Sequence, residues 1–576
     1  MKKFSVWAPR PDKVELQLNE RLLPMHRQDG GWWTADVPEA NPGDNYGFVV
    51  DGAGPFPDPR SPWQPEGVHK LSRLVDENAF QWECRNFQAV PLASAITYEL
   101  HIGTFTPRGT FLSAIERLQH LAALGVTHVE LMPVVEFSGN HGWGYDGVDL
   151  FAPHHAYGTP DDLKMLVAAC HTHGLAVILD VVYNHLGPAG NYLAKFGPYF
   201  TKKFASAWGE GINFDGPDSG EVRRFFCDNA LMWLRDFHFD GLRLDAVHGI
   251  VDTSSIHILE QLKLEVEKLS AQLGRRLALI PESDLNDPRL LWPRERGGYQ
   301  LDAQWSDDFH HALHTVLTGE RTGYYSDYGS IAALAKALRH AFVYDGVFSE
   351  YRQRVHGRST EGLSSHRFLG YLQNHDQVGN RARGERSSHL MSPGKLKIGA
   401  ALVLTSPFVP MLFQGEEWGA TTPFFYFTDY QEPALANAVR EGRCREFAAF
   451  GWKPEDTADP QARETFEQSK LNWDEISKPR HAEMLVWHKR LIELRRAEAD
   501  LSDGELENVQ VTFDEKERWL VLKRRSISLV CNFSEHPQRI PISGKTPKIL
   551  LASEREIRAT DGFADMQAES VVILKR

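Results

Sequence analysis

The stretch TPDDLKMLVAACHTHG at residues 159–174, followed at once by LAVILD at 175–180, decides how this chain is read. Thr159 offers a side-chain oxygen to the free N–H groups that open a helix. Pro160 suits the first helical position, and Asp161 and Asp162 put negative charge at the positive end of the helix. Gly174 is the natural stop. The run that follows is apolar without alternation, as a strand buried on both faces of a parallel sheet must be. A helix feeding a buried strand is the repeating half of a βα unit, and the same rhythm recurs on either side of it.

Working outward, short apolar runs at 95–101, 126–132, 175–180, 241–245, 277–282, 303–306, 367–376 and 408–414 predict eight strands. Between two of them, Leu259, Leu262, Val266, Leu269 and Leu273 recur at helical spacing before Gly274. Eight βα units predict an α/β fold, a closed (β/α)8 TIM barrel. Its span, residues 93–497, exceeds the usual size of about 250 residues and so requires long inserted loops.

The flanks read differently. Residues 1–92 alternate apolar and polar at Val14, Leu16 and Leu18 and at Tyr46, Phe48 and Val50, which predicts an N-terminal immunoglobulin-like β-sandwich. The adjacent Trp32 and Trp33 suit its core better than a sugar platform. A proline-rich stretch, 55–65, stiffens the approach to the barrel. Alternation returns at Val509, Val511 and Phe513 and again at Val572 and Leu574, predicting a C-terminal β-sandwich over 498–576.

Composition narrows the partners. The 576 residues carry a formal charge of −14, a field that disfavours nucleic acid. Five scattered cysteines without a CxxC pair make neither a disulfide framework nor a zinc site. Met1 to Pro9 has no apolar core of a signal peptide, and the greasy run 398–413 is broken by Pro407 and Pro410, so neither export nor a membrane span is expected. A cytoplasmic protein is the expectation.

The chemistry lies at the predicted strand ends. Asp180, Asp245, Glu282 and Asp376 each close an apolar run, and a barrel gathers such ends on its catalytic face. A lone acid there often only caps the next helix. Four together, beside Asn184-His185 and Asn374-His375, are the equipment of glycosidic cleavage: one acid protonates the leaving oxygen and one carboxylate attacks or stabilises the sugar carbon. Arg243, on the same strand face as Asp245, holds that carboxylate ionised, while repulsion keeps a neighbouring acid protonated.

These strings resemble glycoside hydrolase family 13, the α-amylase superfamily. DVVYNH at 180–185, GLRLDA at 241–246, IPE at 280–282 and NHD at 374–376 are similar to its four signatures in order and spacing. The resemblance implies Asp245 as nucleophile, Glu282 as general acid/base and Asp376 as stabiliser, with retention of configuration and carboxyl groups about 5 to 5.5 Å apart. It also implies that Arg243, His185, His375 and Asp180 line the subsite of the attacked glucose, with Tyr145 of WGYD (143–146) stacking beneath it.

The second signature continues Val247-His248-Gly249, unlike the usual α-amylases. With DDFHH at 307–311, GEEWG at 415–419, Thr428-Asp429 and SKLNW at 469–473, it resembles the maltooligosyltrehalose trehalohydrolases. That resemblance implies cleavage of the α-1,4 bond next to a terminal trehalose, with maltooligosyltrehalose as substrate, trehalose as product and a maltooligosyltrehalose synthase as pathway partner. Recognition of the trehalose unit is expected from His248, Asp308, His311, Trp208 and Glu417, although core packing or loop bracing explains Trp208 and Glu417 equally well. A glycogen branching enzyme or general α-glucan hydrolase is the nearest alternative, and a non-catalytic glucan binder the next. No cofactor or metal is expected: of His310, His311 and His314, the adjacent histidines do not share a helix face as an i, i+4 pair would, and Asn184, at a position that binds calcium in many α-amylases, is one oxygen of the six to eight required. The string GWGYDG at 142–147 opens no helix and so cradles no phosphate.

Overall fold

The computed structural model describes residues 2–576 apart from Glu77, Arg85, Ala207, Trp208, Ala449, Pro454, Glu455, Lys545 and Thr546. Its central sheet has eight strands, Thr97–Leu100, His128–Leu131, Ala176–Val181, Gly241–Leu244, Ala278–Pro281, Gln304–Trp305, Phe368–Gly370 and Val409–Phe413 in chain order. Hydrogen bonding runs in the spatial order fifth, fourth, third, second, first, eighth, seventh, sixth. All the paired neighbours are parallel. Between the fifth and sixth strands the barrel is closed by Asp302, whose N–H donates to Leu279 O at 2.9 Å while its Oδ2 accepts from Leu279 N at 2.8 Å.

Residues on paired strands lie in register, so side chains two apart share the barrel lumen. Asp180 pairs with Arg243, and Arg243 with Ile280. One level lower, Glu130 pairs with both Glu99 and Ile178. The lower lumen is apolar, filled by Ala95, Ile178, Ile280, Ala303, Trp305, Leu369, Tyr371, Val409 and Met411. The polar side chains therefore collect at its upper, C-terminal end.

The expected strands are present, shorter than their apolar runs except for the third, Ala176–Val181, which is shifted by one residue, and one expectation needs correcting. The seventh strand stops at Gly370 rather than reaching Asp376. Asn374 instead caps a helix, His375–Gly379, its side chain accepting from Asp376 N at 2.9 Å and Gln377 N at 3.3 Å. Asp376 thus stands in a first helical turn, where the free N–H groups favour an anion. The helix Pro160–Thr172 begins at the Thr159 cap as expected, and Ile258–Leu273 ends at Gly274, which takes a left-handed φ of 62°.

Before the barrel, a three-stranded sheet faces a five-stranded one, with Trp33 buried between them and donating Nε1–H to Ala8 O at 2.9 Å. Trp7 packs edge-on against Tyr199 of the barrel loops. After it, sheets of five and three strands enclose Val521, Val530, Ile540, Ala564, Met566 and Val572. The long helix Pro479–Ala497 ties this end to the barrel: Arg495 donates to the carbonyls of Leu404, Ser406 and Phe408. Among the described residues, no helix is long and apolar enough to cross a membrane.

Candidate active site

Arg243 is the hub of the barrel's upper face. Wholly buried, it donates from Nη1 to Asp180 Oδ2 and to Asp245 Oδ1, both at 2.8 Å, and its Nη2 lies 3.6 Å from Glu282 Oε2. The guanidinium lies over the Trp305 ring, 4.2 Å from its centroid. Burial opposes its charge, but Asp180 above all, with Asp245 and Glu282, more than offsets that and holds the proton firmly. A fixed cation therefore sits between three carboxyl groups.

The two carboxyl groups nearest the cleft are held differently. Asp245 follows the fourth strand, and beyond Arg243 it accepts from Asn184 Nδ2 at 2.8 Å on Oδ2 and at 2.8 Å on its own carbonyl. Such donors stabilise a carboxylate. Glu282 follows the fifth strand and accepts the Ala246 N–H on Oε2 at 2.7 Å. Burial pushes its carboxyl up from the ordinary range; Arg243 pulls it back, and Asp245 adds to the rise. Neighbouring acids set in contrasting surroundings can divide the roles of base and acid.

Asp376 is the open member of the group, 42% exposed at its side chain, with His375 Nε2 3.5 Å from Oδ1. His375 is buried against the Tyr145 ring, with centroids 5.1 Å apart and planes 20° from parallel. Tyr145 donates its hydroxyl to Asp180 Oδ2 at 2.6 Å. His185 has both ring nitrogens engaged, Nδ1 with Asn184 Oδ1 and Nε2 with Tyr145 O at 3.0 Å, so it braces this wall.

The same architecture appears in known proteins. Residues 99–203 match the model described as alpha amylase, catalytic domain; residues 2–64 match carbohydrate-binding module 48, the isoamylase N-terminal domain; and residues 504–573 match a C-terminal domain of unknown function, DUF3459. A crystal structure described as a putative alpha amylase from Salmonella typhimurium superposes with a TM-score of 0.92 at 38% identity, covering 100% of this chain and 97% of that one. The malto-oligosyltrehalose trehalohydrolase of Mycobacterium tuberculosis is 47% identical over 582 residues, covering 100% of this chain and 99% of its own. The chain belongs to the malto-oligosyltrehalose trehalohydrolase family. A further member, from Arthrobacter ramosus, is 50% identical over 86% of this chain and 87% of its own.

The residues expected to recognise trehalose separate in the structure. His248 lies exposed on the short turn Val247–Gly249 after the fourth strand, near Glu282. His311 lies one layer back, buried among Tyr324, Tyr325 and Tyr328. Burial holds its imidazole neutral, down at about 3. Trp208 falls outside the described residues.

Two expectations are corrected. Asp308 does not face the cleft: it is buried and saturated by Asn286 Nδ2 at 2.8 Å, Val343 N at 2.6 Å, Tyr344 N at 3.0 Å and the Tyr328 hydroxyl. Glu417 is buried behind the first strand, accepting from the Tyr98 hydroxyl and paired with His120 Nε2 at 2.8 Å. Both are braces, since a buried carboxylate is tolerated only when its lone pairs are filled.

Sequence reasoning missed Asp307. It opens the helix Asp307–Thr318 after the sixth strand, accepts the Tyr371 hydroxyl, and is pushed well up by burial and then by nearby Glu282, with Asp284 and Asp376 adding to it. Its place directly after Ser306, at a strand-to-helix junction on the catalytic face, was the available signal. Asn184, expected beside the carboxylates as part of the glycosidic equipment and at a calcium-binding position, was missed as a direct partner of Asp245.

Proposed function

We propose that this cleft cleaves the α-1,4-glucosidic bond next to the terminal trehalose of maltooligosyltrehalose, with Asp245 as nucleophile, Glu282 as acid then base, and Asp376 as stabiliser. One observation carries the reading. Arg243 and Asn184 donate to the Asp245 carboxyl, while burial raises that of Glu282, whose Oε2 accepts the Ala246 N–H; this contrast suits the division of labour a double-displacement glycosidase requires. Glu282 protonates the glycosidic oxygen as Asp245 closes on the anomeric carbon. Trehalose departs, and Glu282 then takes a proton from the water that opens the glycosyl ester, so the maltooligosaccharide keeps its α configuration.

Arg243, Asp180, Tyr145, His185 and His375 form the wall against which the attacked glucose is held. His248 and Asp307, flanking Glu282, are the side chains placed to meet the α,α-1,1-linked glucose pair on the leaving side. A maltooligosyltrehalose synthase is the proposed supplier of substrate. Five unpaired cysteines support cytoplasmic residence, where thiols stay reduced.

Incubation with maltotriosyltrehalose and, separately, maltopentaose tests the reading, with Glu282→Gln as control. Trehalose from the first substrate, slow turnover of the second and an inert control are expected, and proton NMR at early times should show the α anomer of the released maltotriose. Comparable cleavage of both without trehalose, or chain transfer to added amylose, would overturn it in favour of a general glucanase or a branching enzyme.

A further inference from the structure

Beneath the catalytic carboxylates the barrel holds a second pair of acids that the reaction does not touch. Glu99, on the first strand, and Glu130, on the second, face each other in register and are 1% exposed. Their situations are opposite. Glu130 has no hydrogen-bond partner for either carboxyl oxygen among the described residues, and burial, then Glu99, pushes it well above the carboxylate range, so it sits neutral. Glu99 is fully employed: Oε2 accepts the backbone N–H of His375 at 3.0 Å, and Oε1 meets His375 Nδ1 at 2.6 Å.

We propose that Glu99 is a positioning residue for the glycosidase reaction, its carboxylate clamping His375 by backbone and ring together so that Nε2–H is presented to the sugar as a cationic donor. The clamp fixes both the start of the helix His375–Gly379 and the rotation of the imidazole. With Nδ1 bound inward, the ring's other nitrogen points towards Asp376, 3.5 Å away at the cleft. Tyr145 stacked on the ring, and Trp143 and Trp305 at its edges, keep it from turning.

The charge follows from what surrounds the ring. Asp376 faces it from its own helix, Glu99 and His101 from the first strand and its end, Glu130 from the second, Asp180 from the third and Arg243 from the fourth. Burial holds His101 neutral, at about 3, and Glu130 is protonated, so neither contributes. Arg243 opposes an imidazolium. Against burial and Arg243, the Asp376 and Glu99 carboxylates prevail and push His375 up to about 9. Among the described residues, Glu99 is the carboxylate that bonds the ring at Nδ1, and an N–H donor that carries charge is about twice as strong as a neutral one.

The inference rests on the cleft being the trehalose-releasing site, and a direct titration separates the two. In protein labelled with 15N-histidine, the His375 ring signal, assigned by its loss in His375→Gln, should remain that of an imidazolium through pH 8 in the wild type and of a neutral ring at that pH in Glu99→Gln. On maltotriosyltrehalose, where the alkaline limb of kcat/KM reports loss of the Glu282 proton and of the His375 charge together, that limb should move down in Glu99→Gln. In Glu99→Asp, which keeps the charge on a shorter arm, the limb should return towards its original position with lower activity. A His375 that titrates below pH 7 in the wild type overturns the proposal even if Glu99→Gln does not fold. So does a Glu99→Gln enzyme whose limb and ring titration are unchanged. A failure to release trehalose strikes the functional reading and leaves the titration to decide the clamp.

Discussion

Adjacent Asp307 and Asp308 show how much one residue of register decides. Both stand in the first turn of the same helix, yet Asp307 feels Glu282 and Asp376 across the cleft while Asp308 is consumed by four protein donors. Asp308→Asn turns an amide N–H₂ towards groups that themselves donate. A stability loss of about 1–3 kcal/mol is expected from this, seen as a lowered denaturation midpoint with KM nearly unchanged. Asp307→Asn should do the reverse: leave the midpoint near wild type and reduce the preference for maltotriosyltrehalose over maltopentaose, read as the ratio of the two kcat/KM values. An Asp307→Asn enzyme with an unaltered ratio would remove Asp307 from the trehalose side.

At the scale of elements, the helices after the sixth and seventh strands are pinned to each other by Glu320. Its Oε2 accepts from Arg381 Nη1 and from His314 Nε2, each at 2.8 Å. Burial holds the imidazole of His314 down, so Arg381 supplies the charge. Burial also opposes ionisation of Glu320, but His314 and Arg381 outweigh it and hold its carboxyl at about 2, below the 4.5 of a free glutamate. Because the folded value is depressed, this stabilisation is present above pH 4.5 and disappears as pH falls through about 2. Glu320→Gln should therefore melt below wild type at pH 7, and scanning calorimetry should show the gap closing between pH 4.5 and the acid limit. Asn374 acts at the same scale. Asn374→Ala should cost about 1 kcal/mol as a lost cap and lower kcat as well, because the helix it starts carries His375 and Asp376.

For the whole molecule, the C-terminal sandwich is fastened to the barrel by the buried Arg524 together with the ion pairs Lys395–Glu569 and Lys397–Glu554. Arg524 reaches out of its own sheet to the carbonyls of Thr405, Ser406, Leu501 and Asp503. Arg524→Ala leaves those acceptors unpaired at about 1–3 kcal/mol for each one that water cannot reach. The thermal midpoint should fall markedly while kcat/KM at 25 °C stays near wild type, because none of these groups approaches Arg243. A variant that melts like the wild type would mean that the interface is wet and weakly coupled.

Local patterns alone determined the barrel, its flanking sandwiches and the carboxylates on Arg243. Unbroken apolar runs, helix caps and left-handed glycines are written in neighbouring residues, and in-register parallel strands then bring strand-end acids together by geometry. The side of the cleft that meets trehalose was not legible in this way. Whether an acid faces solvent or is filled by donors depends on loops distant in sequence, such as the segment after helix Ile331–His340 that covers Asp308. The apolar run before Asp376 looked like a continuous strand because periodicity cannot register where hydrogen-bonding partners end; the capping geometry of Asn374 decided that. Glu99 read only as part of a strand. Its grip on His375, 276 residues away, exists because closing the barrel sets the first and seventh βα units around one lumen, and at low dielectric a buried charge must find its partner there.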